Sequence, residues 1–318
     1  MSFVCFMPKL NNLNFVKNPT NVRVLLNARA DAIFGQKAEI QWVSISVLQA
    51  YRDNRSYNIT LRYDISAKTT DQKTLLKSLA ATSSWPVSNK YGYQVGNFIF
   101  NNLRRKTAEV KIPRYCGYIA KYNLVLRDYL LGAQLLKIIT RSRSISMPHI
   151  KSLMKWLANF QKIKPTTAIK KSINLNNLES NLKILKKRKA PEIELLDKEY
   201  AKIREQIINW SKKYNKTLVH GDFNPANILV DKNTLAVIDF EGVHRGDRLM
   251  DVANLCSYLS ILLNKSGADN RKISTIEKGL ISSYEKATQR LNAKETERFL
   301  VYKKYFTLVF RAYELVWS

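Results

Sequence analysis

A chain of 318 residues is long enough for one large domain or two ordinary ones, and its 45% of hydrophobic residues can build a core, which excludes a disordered protein. The 53 Lys and Arg residues outnumber the 25 Asp and Glu residues and give a formal charge of +28. This surplus favours an anionic partner, such as a nucleotide, a phosphorylated substrate, a nucleic acid or an anionic membrane surface.

The three cysteines, Cys5, Cys116 and Cys256, are odd in number and far apart. Their spacing provides neither a paired zinc-ligand motif nor a disulfide framework, and it favours buried apolar thiols in a reducing compartment. No basic leader precedes the N-terminal apolar residues, which Pro8 interrupts, and no stretch reaches the roughly 18 apolar residues of a membrane helix. We therefore expect a cytoplasmic protein.

The first part of the chain contains mostly strand patterns. They predict two hairpins, one from residues 42–51 and 57–65 within a β-rich segment 22–65, and one from residues 114–119 and 124–129. Arg62 lies on the polar face of the second strand because side chains alternate between the two faces. Helical spacing predicts helices at residues 71–81 and 91–103.

A domain boundary is predicted at residues 128–132, which form a short segment ending in glycine. The chain after it is almost wholly helical as far as residue 217, so we predict an N-terminal lobe of residues 1–127 and a helical C-terminal lobe of residues 133–318. Helices are predicted at residues 147–162, 251–263, 276–291 and 295–316. The basic run 186–189 is interpreted as a solvated helix face or a surface patch.

The strongest pattern lies in residues 218–251, where His220, Asp222, Asn227 and Asp239 recur between short apolar segments. This alternation predicts a loop between short buried strands that directs two carboxylates and an amide into one cleft. Such a cleft suits two tasks, which are accepting a proton from a hydroxyl and holding magnesium against the phosphates of a nucleotide.

The three acidic and amide side chains have complementary candidate roles. Asp222 can act as the base, and the side-chain carbonyl of Asn227 can bind a metal ion. Asp239 follows an apolar strand, where a carboxylate is costly unless it is paired with a metal or a strong donor. Each residue alone could be turn or cap chemistry, so the hypothesis of a phosphotransferase depends on their combination.

The segments HGDFNPANILV and VIDFEGVHRGDRLMDVANL closely resemble the catalytic and metal-binding segments of the aminoglycoside phosphotransferase/choline kinase family. The resemblance implies an α+β, protein-kinase-like fold, with a small β-rich N-lobe, a larger helical C-lobe, and ATP and Mg²⁺ in the cleft between them. It also implies roles for five residues: Asp222 as the catalytic base, His220 as an orienting residue of the catalytic loop, Asn227 and Asp239 as magnesium ligands, and Asp251 as a brace of that loop.

Weaker matches extend the resemblance to the nucleotide site. They imply that the backbone around Asp128 and Leu130 meets the adenine. The family's phosphate-binding lysine lies on its third strand, and the aligned position here is Arg62, which keeps the charge but not the geometry of lysine. Gln94 stands where a partner glutamate is expected, and no glycine-rich phosphate loop is present.

The resulting hypothesis is an ATP- and magnesium-dependent kinase that transfers the γ-phosphate to a hydroxyl of a sugar, aminoglycoside, amino alcohol or similar metabolite. The charge of +28 disfavours a polycationic drug and favours an anionic acceptor. A lipopolysaccharide-core or glycolipid kinase, acting at an anionic membrane surface, is therefore one alternative. An inactive nucleotide-binding scaffold with a basic nucleic-acid-binding surface is another, but the three intact polar residues argue against it, so nucleic acid is not the expected partner.

Overall fold

The computed structural model describes residues 11–52, 56–104, 109–170, 175–214 and 216–317. The chain divides into two units. The first comprises Met1–Asn101 and Pro113–Leu130, and the second comprises Asn102–Ile112 and Leu131–Ser318. No helix in the described ranges is long and apolar enough to cross a membrane.

Both units contain helices and strands. In chain order, the elements up to residue 128 are α1 (Asn11–Val16), α2 (Pro19–Asn27), α3 (Ala30–Phe34), β1 (Ala38–Arg52), β2 (Tyr57–Thr69), β3 (Thr74–Trp85), α4 (Lys90–Leu103), β4 (Val110–Lys111), β5 (Tyr115–Ile119) and β6 (Leu124–Asp128). The remaining elements are β7 (Ala133–Gln134), α5 (Leu135–Ser142), α6 (Met147–Gln161), α7 (Asn176–Arg188), α8 (Ile193–Lys213), β8 (Thr217–Val219), β9 (Ile228–Asp231), β10 (Thr234–Val237), β11 (His244–Gly246), α9 (Leu249–Lys265), α10 (Asn270–Ala287) and α11 (Ala293–Trp317).

The first unit is built on a five-stranded antiparallel sheet in the order β1-β2-β3-β6-β5. One face of this sheet packs against the N-terminal helices, because Leu61 and Tyr63 of β2 share a buried core with Val16, Leu26 and Ile33 of α1, α2 and α3. The hydroxyl of Tyr63 donates to the carbonyl of Val16 at 2.8 Å.

Helix α4 lies on the opposite face of the sheet. Its Tyr93 stacks on Tyr118 of β5, with ring centroids 6.1 Å apart. The registers place Tyr118 opposite Val125, and Val125 opposite Thr82, so these side chains share one face. Arg62 of β2 is on this same face, because its partner on β3 is Ala80, two residues before Thr82.

Both predicted hairpins are confirmed, but the helix predicted at residues 71–81 is wrong. Residues 74–81 of that segment belong to β3, which pairs with β2 on one side and with β6 on the other. The helical spacing of its leucines was overridden by this double pairing at the centre of the sheet. Residues 22–27, predicted within a β-rich segment, lie in α2, which begins with Asn18 as N-cap and Pro19 in its first turn.

The second unit contains two small sheets surrounded by helices. Strands order as β4-β10-β9-β7 in one sheet, and β8 pairs with β11 in the other. The helices predicted at residues 147–162, 251–263, 276–291 and 295–316 are confirmed as α6, α9, α10 and α11. Ser146 caps α6, as its hydroxyl accepts a hydrogen bond from the N–H of His149.

The basic run 186–189 ends α7, where lysine and arginine complement the negative end of the helix dipole. Two of its side chains already bind within the unit. Lys186 pairs with Asp197 at 2.9 Å, and Arg188 donates to the carbonyl of Val316 at 2.8 Å. These contacts favour a structural role for part of the run.

A buried ion pair joins the loop before α9 to α11. Nε of Arg298 lies 2.7 Å from Oδ2 of Asp247, and the side chains are 7% and 2% exposed. The hydroxyl of Tyr302 adds a contact to the same carboxylate oxygen at 3.4 Å, and the guanidinium lies over the ring of Tyr214 at 3.9 Å. Removing the cation would leave a buried carboxylate without its charge partner.

We expect Arg298→Leu to lower the free energy of unfolding by about 3–5 kcal/mol, because Asp247 would remain buried and unpaired. Denaturant unfolding measures this change. Arg311→Leu makes the same substitution at an exposed position of α11 and should cost no more than about 0.5 kcal/mol. Equal losses in the two variants would contradict the role of the pair.

Candidate active site

The loop after β8 is held by one carboxylate from α9. Oδ2 of Asp251 accepts a hydrogen bond from the N–H of His220 at 2.8 Å, and Oδ1 accepts one from the N–H of Gly221 at 3.1 Å. Asp251 is 1% exposed, and burial raises the pKa of its carboxyl to about 7. A buried carboxylate is costly without hydrogen bonds, and here both oxygens find them on consecutive loop amides.

Gly221 allows the loop to approach the turn that follows Asp239. Its φ is +81°, and a Cβ at this position would lie 2.3 Å from the carbonyl oxygen of Gly242. Only glycine combines this left-handed conformation with such a close approach. The contact therefore fixes the position of Asp222, the next residue in the loop, relative to the 3-10 turn Phe240–Gly242.

The carboxylate of Asp222 is oriented by two amides of its own loop. Oδ1 accepts from Nδ2 of Asn224 at 2.5 Å, and Oδ2 accepts from Nδ2 of Asn227 at 2.7 Å. Burial and the nearby Asp239 carboxylate raise the pKa of Asp222 to about 6, although the two amide hydrogen bonds act in the opposite direction. An oriented carboxylate with this pKa can accept a proton near neutral pH.

The side-chain oxygen atoms of these two amides have different surroundings. Because a carboxylate only accepts, the amide nitrogen of Asn227 faces Asp222 and its Oδ1 is directed away from that carboxylate. Oδ1 of Asn224 instead accepts from the N–H of Ala226 at 2.8 Å, which caps the 3-10 turn Pro225–Asn227. The sequence interpretation did not single out Asn224, although an amide two residues after an aspartate in a turn is a signal for such a contact.

Asp239 follows β10 with φ of +68°, in the left-handed region that aspartate occupies at an energetic cost. Backbone strain of this kind concentrates at functional sites. The Asp239 carboxylate acts on its neighbours, since it raises the pKa of Asp222. No group of three or more His, Cys, Asp or Glu side chains that could hold a metal ion occurs in the described part of the chain. The N–H of Ile238, the residue before Asp239, donates to the carbonyl of Asn227 at 3.0 Å, which brings the two predicted magnesium ligands near each other in the fold.

His220 lies in an aromatic core and does not reach solvent. It is 0% exposed, and its ring centroid is 5.0 Å from that of Phe240 and 5.8 Å from that of Phe223. Its Nε2 is 3.2 Å from the carbonyl of Ile238, which requires a proton on Nε2. This hydrogen bond joins the loop to the residue before Asp239, so the geometry gives His220 an orienting position.

Asp222 and Asp239 line one cavity of about 390 Å³ within the second unit. Its other lining residues include Lys170, Glu241, His244, Asn254, Tyr258 and Tyr305. Burial and the Asp222 carboxylate raise the pKa of the Tyr258 phenol. The sequence interpretation missed Asn254, whose signal was an amide three residues after Asp251 on the same face of an apolar helix.

The structure places the three predicted nucleotide-binding residues in the first unit. Arg62 lies on β2, the second strand, and not on the third. Nε of Arg62 donates to Oδ1 of Asp64 at 2.9 Å, and the guanidinium lies 4.6 Å from the ring centroid of Tyr129. On the face that α4 covers, β3 contributes Ser78 and Ala80 and no cation. Arg62 is therefore not the third-strand residue that the resemblance implies, although it is a cation of that face.

The third strand does carry a lysine, Lys77, on the face of the N-terminal helices. Nζ of Lys77 pairs with Oδ1 of Asp128 at 2.9 Å and donates to the carbonyl of Ile33 at 3.0 Å. The N–H groups of Asp128 and Tyr129 donate to the carbonyls of Arg114 and Ser78 at 2.9 and 3.0 Å. The partly buried Leu130 follows them.

The model of the phosphotransferase enzyme family, APH, matches residues 99–271, which is more than half of the chain. The chain belongs to this phosphotransferase family. The predicted activity is confirmed at this level, since a member of the family is a kinase that transfers phosphate to a hydroxyl group. No similar curated protein sequence was found.

Two solved structures resemble this phosphotransferase. The ternary complex of a thermostable mutant of aminoglycoside phosphotransferase APH(4)-Ia with ADP and hygromycin B aligns with 92% of this chain and 90% of that chain, at 12% identity and a TM-score of 0.51. A choline/ethanolamine kinase family protein from Mesorhizobium loti aligns with 80% of this chain and 76% of that chain, at 12% identity and a TM-score of 0.50. Similarity at this identity shows the fold, and the predicted protein-kinase-like α+β fold is confirmed.

Gly221→Ala should disrupt the site more than a glycine replacement elsewhere with a similar φ. Gly35 has φ of +75°, and a Cβ on it would meet nothing within 4 Å, so Gly35→Ala tests conformational strain alone, about 1–2 kcal/mol. Gly221→Ala adds the clash with Gly242, about 1–3 kcal/mol more. Urea unfolding and phosphate-transfer assays compare the two, and equal stability losses would contradict the close approach.

The buried His220 should make the protein sensitive to acid. Burial lowers its pKa from 6.5 to about 4, so between these pH values the unfolded chain binds a proton that the folded chain does not. The free energy of unfolding should therefore fall as pH falls, by up to about 1.4 kcal/mol per pH unit from this group.

The matched variant is His220→Gln, which retains an N–H donor for Ile238. The raised pKa values of Asp222 and Asp251 act with the opposite sign in this window, so the difference between the native chain and the variant isolates the histidine. Urea unfolding from pH 7 to pH 4 measures that difference. A difference that stays constant with pH would show that His220 does not titrate abnormally.

Proposed function

We propose that this phosphotransferase uses ATP and Mg²⁺ to phosphorylate a hydroxyl group of a small molecule bound in the cavity of Asp222. The observation that carries the proposal is the orientation of the Asp222 carboxylate by two amides, beside a second carboxylate, at the wall of a cavity. Phosphoryl transfer needs this kind of positioning more than covalent chemistry from the protein.

Asp222 acts as the catalytic base. The acceptor hydroxyl donates its proton toward the Asp222 carboxylate while its oxygen forms the new bond to the γ-phosphorus, and the bond between that phosphorus and the ADP leaving oxygen breaks. The hydrogen bonds from Asn224 and Asn227 hold the carboxylate in one orientation during this exchange. His220 and Asp251 position the loop and do not touch the reactants.

Asn227 and Asp239 would hold the metal ion. The fit is chemical, because a carboxylate and an amide carbonyl are hard oxygen donors, and the repulsion that raises the pKa of Asp222 is relieved by a cation. Two protein ligands suit Mg²⁺, which retains waters and binds phosphate oxygens. Bound there, Mg²⁺ would neutralise charge on the transferring phosphates.

Arg62 would bind nucleotide phosphates in place of the family's lysine. This role is supported by the position of Arg62 on the face of the sheet that α4 covers, because β3 contributes no cation to that face. Asp64 holds the guanidinium at 2.9 Å, so its direction is set before a ligand binds. The N–H groups of Asp128 and Tyr129 already donate hydrogen bonds to backbone carbonyls of the first unit. The adenine would therefore form its backbone hydrogen bond at Leu130.

The acceptor belongs to the class of sugars, aminoglycosides and amino alcohols. Support comes from the family and from the hygromycin B and choline/ethanolamine kinase names of the two similar structures. The alternative of a glycolipid acceptor rests on the charge of +28 alone. A cytoplasmic location is supported by Cys116 and Cys256, which are free and buried thiols, as expected in a reducing compartment.

The test separates the base from the metal ligand. Asp222→Asn should lower kcat for phosphate transfer by about a hundredfold to ten-thousandfold, because the base is lost, while MgATP binding changes little. Asp239→Ala should instead weaken magnesium-dependent ATP binding and leave magnesium-free binding unchanged. Isothermal titration with ATP, with and without Mg²⁺, and a coupled ADP-release assay over a panel of hydroxylated metabolites provide these values.

Asp231→Asn is the matched control, since it removes a carboxylate from an exposed position of the same segment. It should behave as the native chain in both assays. An Asp222→Asn variant with native turnover would overturn the proposed base, and an Asp239→Ala variant that binds MgATP normally would overturn the metal site.

A further inference from the structure

Two residues that line the Asp222 cavity each carry a buried polar atom that has no hydrogen-bond partner within the described protein. The two atoms are Oδ1 of Asn254 and Nε2 of His244. The two residues are 2% and 6% exposed, and both line the cavity that holds Asp222. A buried polar atom without a partner costs roughly 1–3 kcal/mol, so a ligand that reached these two atoms and supplied the missing partner would be stabilised there.

Both atoms are acceptors. Oδ1 of Asn254 is a carbonyl oxygen and cannot donate. Nδ1 of His244 lies 2.9 Å from the carbonyl oxygen of Gly242, so Nδ1 carries the proton and Nε2 presents a lone pair. Burial lowers the pKa of His244, and Lys170 acts in the same direction, which keeps the ring neutral near pH 7. The ligand must therefore bring donors.

The charges around the cavity point to the same kind of ligand. Three carboxylates line it, those of Asp222, Asp239 and Glu241, whereas Lys170 is the one cation among its described lining residues. A phosphate or carboxylate group placed beside Asn254 and His244 would meet lone pairs and negative charge. The chain as a whole is positively charged, whereas the described wall of the cavity carries more carboxylates than cations.

The remaining wall is aromatic and suits the carbon face of a ring. Tyr258, Tyr305 and Phe306 line it, and the last two rings pack edge to face with centroids 5.1 Å apart. The electron-rich faces of such rings attract the partly positive C–H groups of a saturated ring. A flat anionic group gains nothing from this surface.

We propose that Asn254 and His244 form a specificity subsite that accepts hydrogen bonds from two hydroxyl or amino groups of an uncharged or amino sugar, beside the hydroxyl presented to Asp222. The subsite rests on the proposed kinase function and narrows its substrate class. It replaces the anionic acceptor that the net charge of the chain favoured. The two residues bind and orient the acceptor and take no part in proton transfer.

The first experiment compares acceptors that differ in charge. Glucose, glucosamine and 2-deoxyglucose are assayed with MgATP beside glucose 6-phosphate and gluconate, with Asp222→Asn as the blank. We expect uncharged or amino probes to be phosphorylated with kcat/KM at least about tenfold above the anionic probes, the discrimination that unpaired buried polar groups provide. A preference for an anionic probe would overturn the proposal.

The second experiment removes each acceptor atom and keeps the shape of the side chain. Asn254→Leu and His244→Phe should raise KM for the best uncharged probe by about tenfold, with a smaller effect on kcat, since each loses a substrate hydrogen bond. His244→Gln keeps an acceptor and should stay within about threefold of the native KM.

The control is Asn264→Leu, the same substitution at an exposed position of α9. It should leave every kinetic value unchanged. Circular dichroism verifies that Asn254→Leu and His244→Phe are folded. Native KM values in these two folded variants would overturn the subsite.

Failure of the substrate class is distinguishable from failure of the kinase function. One outcome is that no uncharged or amino sugar is phosphorylated, while the slow release of ADP without acceptor still depends on Asp222. The kinase assignment then stands, and the proposed class of uncharged or amino sugars is wrong. If that release is the same in Asp222→Asn, the proposed function is itself contradicted.

Discussion

The candidate active site depends on the two hydrogen bonds that Asp251 accepts from His220 and Gly221. Asp251 lies in the first turn of α9, where a carboxylate also interacts favourably with the positive end of the helix. Most of that helix is buried, so its first turn is a rigid anchor. Because the two amides are consecutive, the peptide between them is fixed in direction, and the position of Asp222 follows from it.

Three buried or partly buried aspartates belong to the candidate site, and two of them are stabilised in different ways. Asp251 accepts hydrogen bonds from backbone N–H groups and Asp222 accepts them from two amides, whereas Asp239 has a strained, left-handed backbone. Burial still raises the pKa of Asp222 and Asp251, so the hydrogen bonds do not remove the whole cost of desolvation. Such a site is held by the surrounding fold, which includes the Asp247–Arg298 pair before α9.

The contact between Asp222 and Asn227 could be expected from the sequence because the geometry is local. Both residues lie within one short loop, so their spacing in the chain determines the contact, whereas the second amide, that of Asn224, was not singled out. The nucleotide side was harder, because its geometry depends on strand order. Interpreting residues 71–81 as a helix hid β3, so Lys77 on that strand was not considered and the resemblance was assigned to Arg62 on β2. Only the register of β2 against β3 shows which side chains share a face with Arg62.

The net charge of the whole chain is a poor predictor of the charge around the candidate active site. A charge of +28 describes the whole molecule and its long-range field, and several of its cations are bound by carboxylates or carbonyls outside the Asp222 cavity, as Lys186 is by Asp197. Binding in a cavity is decided by the few atoms in its wall, because desolvation makes each unpaired group count. We therefore expect two unpaired hydrogen-bond acceptors and three carboxylates in the cavity wall to outweigh the surplus of lysine and arginine elsewhere, so that these wall atoms determine which phosphate acceptor binds.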